Sequence, residues 1–197
     1  EIKSQGLDAL IISGANVSAT DLQLAPFYDQ LKEVVDWSYE NVTSTLCSCL
    51  ATHAVLEFKY GQKRQPIGAK HWGVFPHKVI NRSHPLVKGV NTRFDIPHSR
   101  FNEISEEQFS DAGIRVLAKS KIGVHLAVSP DLFRLVFFQG HPEYDSISLL
   151  KEYKREVAIY LENNGSEYPP IPSNYLSLQS QAILEEYRAK LDSKKAS

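Results

Sequence analysis

Asn41-Val42-Thr43-Ser44-Thr45-Leu46-Cys47-Ser48-Cys49-Leu50-Ala51-Thr52-His53-Ala54-Val55-Leu56-Glu57-Phe58-Lys59-Tyr60-Gly61 is the stretch on which the fold turns. The run from Asn41 to Cys47 is rich in β-branched residues and reads as a strand. From Ala51 to Tyr60 the chain reads as a helix, and Gly61 stands where helices commonly close in a left-handed residue. The same step occurs upstream. Leu10-Ile11-Ile12 is a short apolar run ended by Ser13-Gly14-Ala15-Asn16, a buried parallel strand followed by a loop. Between Pro26 and Tyr39 the residues Phe27, Leu31, Val34, Val35 and Trp37 recur at roughly helical spacing. Strand, helix, strand, helix predicts an α/β doubly wound sheet.

Outward from there the pattern is looser. Residues 61–70 are polar and turn-rich and read as a surface loop. Strand-like runs cover 72–79, 114–118, 124–129 and 133–138, with a short helix over 106–112. Residues 146–161 form an amphipathic helix with Ile147, Leu150, Tyr153, Val157 and Leu161 on one face. Pro169-Pro170-Ile171-Pro172 breaks the chain before a last helix over 178–191, and the tail beyond is expected to fray. There is no internal repeat.

Composition narrows the function. The chain has 197 residues, 42% hydrophobic and 23% charged, enough to bury a real core. A formal net charge of -1 carries no electrostatic footprint for nucleic acid or an anionic membrane. No apolar run approaches the roughly 18 residues of a membrane span. The seven histidines lack metal-ligand spacing, so no metal site is expected. Cys47 and Cys49 are one residue apart, too close for an unstrained disulfide, which points to a reducing, cytoplasmic setting. Methionine is absent, and α/β domains seldom open on a core strand. Both observations raise the expectation of further chain ahead of residue 1.

Chemistry concentrates at two places. Cys49 lies at an abrupt junction of strand and helix, a turn that lifts a nucleophile above a sheet beside a thiolate-stabilising helix N-terminus. The same residues fit a buried cysteine acting as a small hydrophobe equally well. Ser48, Ala51 and Ala54 are small enough for close strand–helix packing around it. Gly140-His141-Pro142-Glu143-Tyr144-Asp145 follows an apolar strand, at the kind of strand end where open α/β sheets bind ligands. A histidine two residues before a glutamate can take a thiol proton while the carboxylate holds its tautomer, although turn histidines are also common.

Leu10 to Ala15, Asp36-Trp37-Ser38 through Leu46, Pro97-His98-Ser99-Arg100 and Gly140 to Asp145 together resemble the homoserine O-acyltransferases of the homoserine O-succinyltransferase family. The resemblance covers most of residues 7–175. It implies a flavodoxin-like, class I glutamine amidotransferase-like sheet, and acyl transfer from an acyl-CoA to homoserine in methionine biosynthesis. On that resemblance Cys49 carries the acyl group, His141 is the base and Glu143 its carboxylate partner. Lys70 and Ser99 fall on substrate-site positions, and Arg155 on the arginine that pairs with the substrate carboxylate. Backbone N–H groups of Leu50 and of Ala15 and Asn16 would form the oxyanion hole. The family also implies a homodimer, with acyl-CoA as co-substrate and no cofactor.

Departures from the family pattern bear on substrate. Leu50 stands where an aromatic residue is usual, His53 where a glutamine is, and Asn16 where a proline is. Ser18 occupies the position that accompanies acyl choice, and the family's aromatic-rich C-terminal segment is not recognisable after Tyr175. The chain thus reads as a divergent member, with an acyltransferase domain over 1–175 and a C-terminal helix and tail over 176–197. A glutamine amidotransferase-type amide hydrolase shares the order Cys then His-x-Glu and is the competing enzyme reading. A non-catalytic relative acting as a binding subunit is the third.

Overall fold

The computed structural model describes residues 6–15, 17, 21–162 and 167–195. The chain divides into two compact units, Glu1–Glu143 and Tyr144–Ser197. Asn16 and Ser18, named above, lie outside the described residues.

The first unit is built on a seven-stranded sheet and, among the described residues, three α-helices. Its strands are β1 (Ala9–Ile12), β2 (Ser44–Ser48), β3 (Gln65–Val79), β4 (Arg93–Glu103), β5 (Arg115–Ser120), β6 (Gly123–Val128) and β7 (Leu135–Phe138). They lie in the order β1-β2-β7-β6-β5-β3-β4. The three strands β1, β2 and β7 run parallel. The remaining pairings are antiparallel. The expected strand–helix units therefore form the parallel half of the sheet, and a hairpin extension completes it.

Side chains alternate across the sheet, so β7 feeds two cores. Leu135 and Phe137 join Cys47, Ala51, Val55 and Phe109 on one face, while Val136 joins Leu117, Leu126 and Val128 on the other. Helix α1 (Tyr28–Asn41) leads into β2, and α2 (Leu50–Tyr60) leaves it. Every residue of α2 from Leu50 to Glu57 is buried, as befits a helix springing from a central strand. Gly61 closes α2 at φ 69°, its N–H bonded to the carbonyls of Glu57 and Leu56, in the left-handed role expected of it. Helix α3 (Glu106–Asp111) starts at a capping box of Ser105 and Gln108.

The hairpin corrects the sequence reading. A loop is expected over 61–70, yet β3 begins at Gln65, and β4 is not anticipated at all. Local pattern misleads here for a physical reason. The residues β4 buries are His98, Arg100 and Asn102, so polar side chains break the apolar pattern of its inward face after Phe94 and Ile96. Pro97 also argues against a strand, but β4 is the sheet edge, where proline is tolerated.

The second unit holds α4 (Ser148–Glu162) and α5 (Leu178–Lys195). Tyr168 links them. Its ring meets Tyr160 edge-on at 5.0 Å between centroids, and Arg188 of α5 stacks over the same ring at 4.9 Å. Among the described residues no helix is long and apolar enough to cross a membrane.

Candidate active site

The strand-to-helix junction at Cys49 is tighter than propensity alone would make it. Cys49 is the N-cap residue of α2 and adopts φ 49°, ψ −112°, a region side chains rarely occupy and one that is held only where the surroundings enforce it. Here the enforcement is the Cys49 N–H bond of 2.7 Å to the carbonyl of Phe138 on β7, with α2 beginning immediately after. A small residue must face this elbow, and the loop after β1 supplies it. A Cβ on Gly14 would stand 3.0 Å from Cys49 Cβ, 3.2 Å from Leu50 N and 3.3 Å from the Ser48 carbonyl oxygen. The loop after β1 thus passes directly over the first N–H of α2. That group belongs to the set of helix-start donors with no intrahelical acceptor.

His141 and Glu143 come to the same place from the end of β7. The His141 Nδ1 bonds to Glu143 Oε1 at 3.0 Å, and the Cys49 thiol is the other hydrogen-bond partner of the imidazole. The Ser48 hydroxyl bonds to the carboxylate of Glu143, 3.0 Å from one oxygen and 2.9 Å from the other. The result is a chain running from Cys49 through His141 and Glu143 to Ser48. Ser48 is the member sequence reasoning missed, having been read only as a small neighbour. Its alternation relative to Cys47 on β2 was the available signal.

Electrostatics favour the charged forms. Burial pulls the His141 imidazole down, but hydrogen bonds to Cys49 and Glu143 outweigh it and raise its pKa to about 10. Burial also pushes the Glu143 carboxyl up, while the hydrogen bonds from His141, the backbone and Ser48 win and leave it below its ordinary value.

The unforeseen strand β4 holds this turn in place. The His141 N–H bonds to the Pro97 carbonyl at 2.9 Å. Gly140 is needed for that approach, because a Cβ there would lie 2.6 Å from Ile96 Cγ2 and 2.8 Å from His98 Nε2. Gly140→Ala is expected to cost about 1–3 kcal/mol of stability and to displace His141. Urea unfolding checks the first effect, and full wild-type stability would refute it.

Beneath the turn lies a cluster of buried imidazoles. His77 stacks on His98 at 4.9 Å and meets His125 at 5.1 Å. Arg100 donates from Nε to His98 Nδ1 at 3.3 Å. His53 proves to be a helix-packing residue, bonded through Nε2 to Gln139 Oε1 at 3.0 Å. Burial, reinforced by nearby positive charge, lowers both His53 and His125 to about 3. Among the described residues no cluster of three or more His, Cys, Asp or Glu could hold a metal ion.

These opposite shifts define a pH profile of stability. A histidine titrates near 6.5 when unfolded. The depressed groups His53 and His125 bind protons only on unfolding, so stability falls as pH drops from about 6.5 toward 3. His141 is raised, so its contribution is present below about 6.5 and is lost as pH climbs toward 10. Denaturant unfolding across pH should therefore show a maximum near neutrality with a steeper acid limb. A flat acid limb would contradict the burial of neutral imidazoles.

The other expected site residues divide. Ser99 on β4 pairs with Trp72 on β3, and Lys70 lies over the Trp72 ring at 4.0 Å and near Phe101. Lys70, Trp72, Ser99 and Phe101 thus share one face of the hairpin whose Pro97 carbonyl holds His141. Leu50 supplies its N–H at the elbow, and Ala15 follows Gly14 in the overlying loop. Arg155 belongs to the second unit, is exposed on α4 and pairs with Glu156 at 3.6 Å.

The mixed α/β sheet, with its sharp turn at Cys49 and His141-x-Glu143 beside it, has a fold of the glutamine amidotransferase class. Solved structures agree on the fold. A glutamine amidotransferase from Thermotoga maritima matches with a TM-score of 0.57 at 12% identity, over 79% of this chain and 63% of that one. A glutamine amidotransferase from Methylobacillus flagellatus matches with a TM-score of 0.56 at 17% identity, over 90% of this chain and 67% of that one.

Within that class the chain belongs to the homoserine O-succinyltransferase family, whose model matches residues 1–194. Homoserine O-succinyltransferases of Nitrosococcus oceani and Allochromatium vinosum are each 65% identical to it, over 97% and 95% of this chain. The chain spans about half the length of these relatives, 54% and 53% respectively.

Proposed function

We propose that the chain carries acyl transfer from an acyl-CoA, through a thioester on Cys49, to the hydroxyl of homoserine or a related amino acid. The observation that carries this reading is the Cys49 elbow, with His141 on the thiol and the Leu50 N–H under Gly14. Membership of the family supports the acceptor. The names of its relatives make succinyl-CoA the first donor to test.

In the first half-reaction the Cys49 thiolate attacks the thioester carbonyl. The carbonyl oxygen becomes an oxyanion facing the Leu50 N–H and the loop carrying Ala15 and Asn16. On collapse the carbon–sulfur bond to CoA breaks, and the departing sulfur takes the proton from His141. In the second half-reaction the acceptor hydroxyl gives its proton to His141 and attacks the Cys49 thioester. The ester forms and the Cys49 thiolate is released. Glu143, held by Ser48, stabilises the imidazolium whenever it forms and orients the neutral ring between those steps. Lys70 and Ser99 are assigned to substrate contacts, and Arg155 to the acceptor carboxylate. No cofactor is required, and a cytoplasmic homodimer is the proposed setting.

Incubation with succinyl-CoA or acetyl-CoA followed by intact-mass measurement tests the reading. A single acyl adduct mapped to Cys49, discharged by homoserine, is expected. No adduct with any acyl-CoA would overturn it. The order Cys then His-x-Glu on this fold also suits a glutamine amidotransferase-type amide hydrolase. Glutamine turnover without CoA thioesters would favour that alternative.

A further inference from the structure

Arg64 is buried to 5% exposure between the end of α2 and the start of β3. Nothing in the proposed chemistry employs it. A buried guanidinium loses its hydration and is retained only where specific partners compensate. One partner is the loop after β1: Nη2 of Arg64 donates to the Val17 carbonyl at 3.0 Å. Val17 lies three residues beyond Gly14, in the loop that passes over Cys49 and Leu50.

Further along the chain, Leu22 and Gln23 are also fastened to α2. Leu22 is fully buried against Leu50 and Ala54, with Val17 packed alongside. Next to this apolar contact, Gln23 Nε2 donates to Glu57 Oε1 at 3.1 Å. Cys49 and Glu57 in turn act electrostatically on Arg64. Burial lowers the guanidinium's pKa, and these two neighbours oppose that effect. Hydrophobic packing of Leu22 resists separation of loop and helix but not sliding. A fixed bond to one backbone carbonyl sets register, and register decides whether the loop's N–H groups face the oxyanion.

From this geometry we infer that Arg64 is a positioning residue for the oxyanion hole, clamping the loop of Gly14 and Ala15 over the nucleophile elbow through the Val17 carbonyl. This rests on the acyl-transfer reading for its consequence in catalysis, though not for the clamp itself.

The test compares two reactions of Cys49 in the unsubstituted chain, Arg64→Met and Arg64→Lys. Alkylation by iodoacetamide is a displacement at a saturated carbon and creates no oxyanion. Acylation by succinyl-CoA creates one. Arg64→Met is expected to slow acylation by about 10- to 100-fold while alkylation stays within about twofold, and Arg64→Lys should recover part of the loss. Equal acylation rates in Met variant and parent would overturn the inference. So would parallel loss of both reactions, which would mark Arg64 as a general structural or thiolate-stabilising group. Hydrogen exchange of the Gly14, Ala15 and Val17 amides gives a reading independent of acyl transfer. Faster exchange in Arg64→Met at these amides supports the clamp, and unchanged exchange overturns it. If the parent chain takes no acyl group, the transferase reading falls, and the exchange result alone decides the clamp.

Discussion

Replacing Cys49 with alanine is expected to lower acyl transfer by about 10⁴- to 10⁶-fold, the scale seen when the nucleophile of a catalytic triad is removed. The other cysteine cannot substitute. Cys47, two residues earlier, is fully buried in the core, and burial pushes its thiol up to about 12. It therefore stays protonated. The variant should also fold normally, because the strain at φ 49° is enforced by the Phe138 carbonyl and the start of α2 rather than by the thiol. Intact mass after incubation with succinyl-CoA reads the outcome. Persistence of a stoichiometric acyl adduct in Cys49→Ala, at any site, would remove Cys49 from the mechanism.

The second large effect is expected at a residue with no side chain. Gly14→Ala places a methyl group 3.2 Å from Leu50 N and 3.0 Å from Cys49 Cβ. Two of the three nearest atoms are backbone, Leu50 N and the Ser48 carbonyl oxygen, and cannot rotate away. The methyl would stand where the proposed oxyanion would approach the Leu50 N–H. Loss of one oxyanion-hole donor typically costs about 10²- to 10³-fold in turnover, and Gly14→Ala should fall in that range, Gly14→Val lower still. The discriminating measurement is iodoacetamide alkylation of Cys49, which should stay within an order of magnitude of the parent. A Gly14→Ala variant with undiminished acyl transfer would dissociate this loop from the oxyanion.

How much of this was legible beforehand depends on where each signal resides. The β1 strand, α1, β2 and α2 follow from local periodicity, because a parallel α/β unit writes its burial into contiguous apolar runs. Cys49 and His141-x-Glu143 were also visible, since their chemistry is set by residue type and by position at strand ends. Strand β4 was not. Its buried face is His98, Arg100 and Asn102, and such residues become core only where neighbouring strands cover them. Ser48 and Gly140 were present in quoted motifs, but their roles depend on atoms far along the chain: Glu143 for one, Ile96 and His98 for the other.

By itself, then, the sequence determined the α/β class and the order of Cys49 and His141-x-Glu143 along the chain. These are properties of short segments, fixed by periodicity and by side-chain chemistry. The tertiary structure alone decided which groups press on Cys49. It brought Gly14 over the Leu50 N–H, Ser48 onto the Glu143 carboxylate, the Pro97 carbonyl onto His141, and Arg64 onto the loop that roofs the elbow. Each of these contacts joins segments separated by tens of residues, and their energies depend on ångström-scale approach. Spacing along a chain does not encode that approach; the packing of a sheet does.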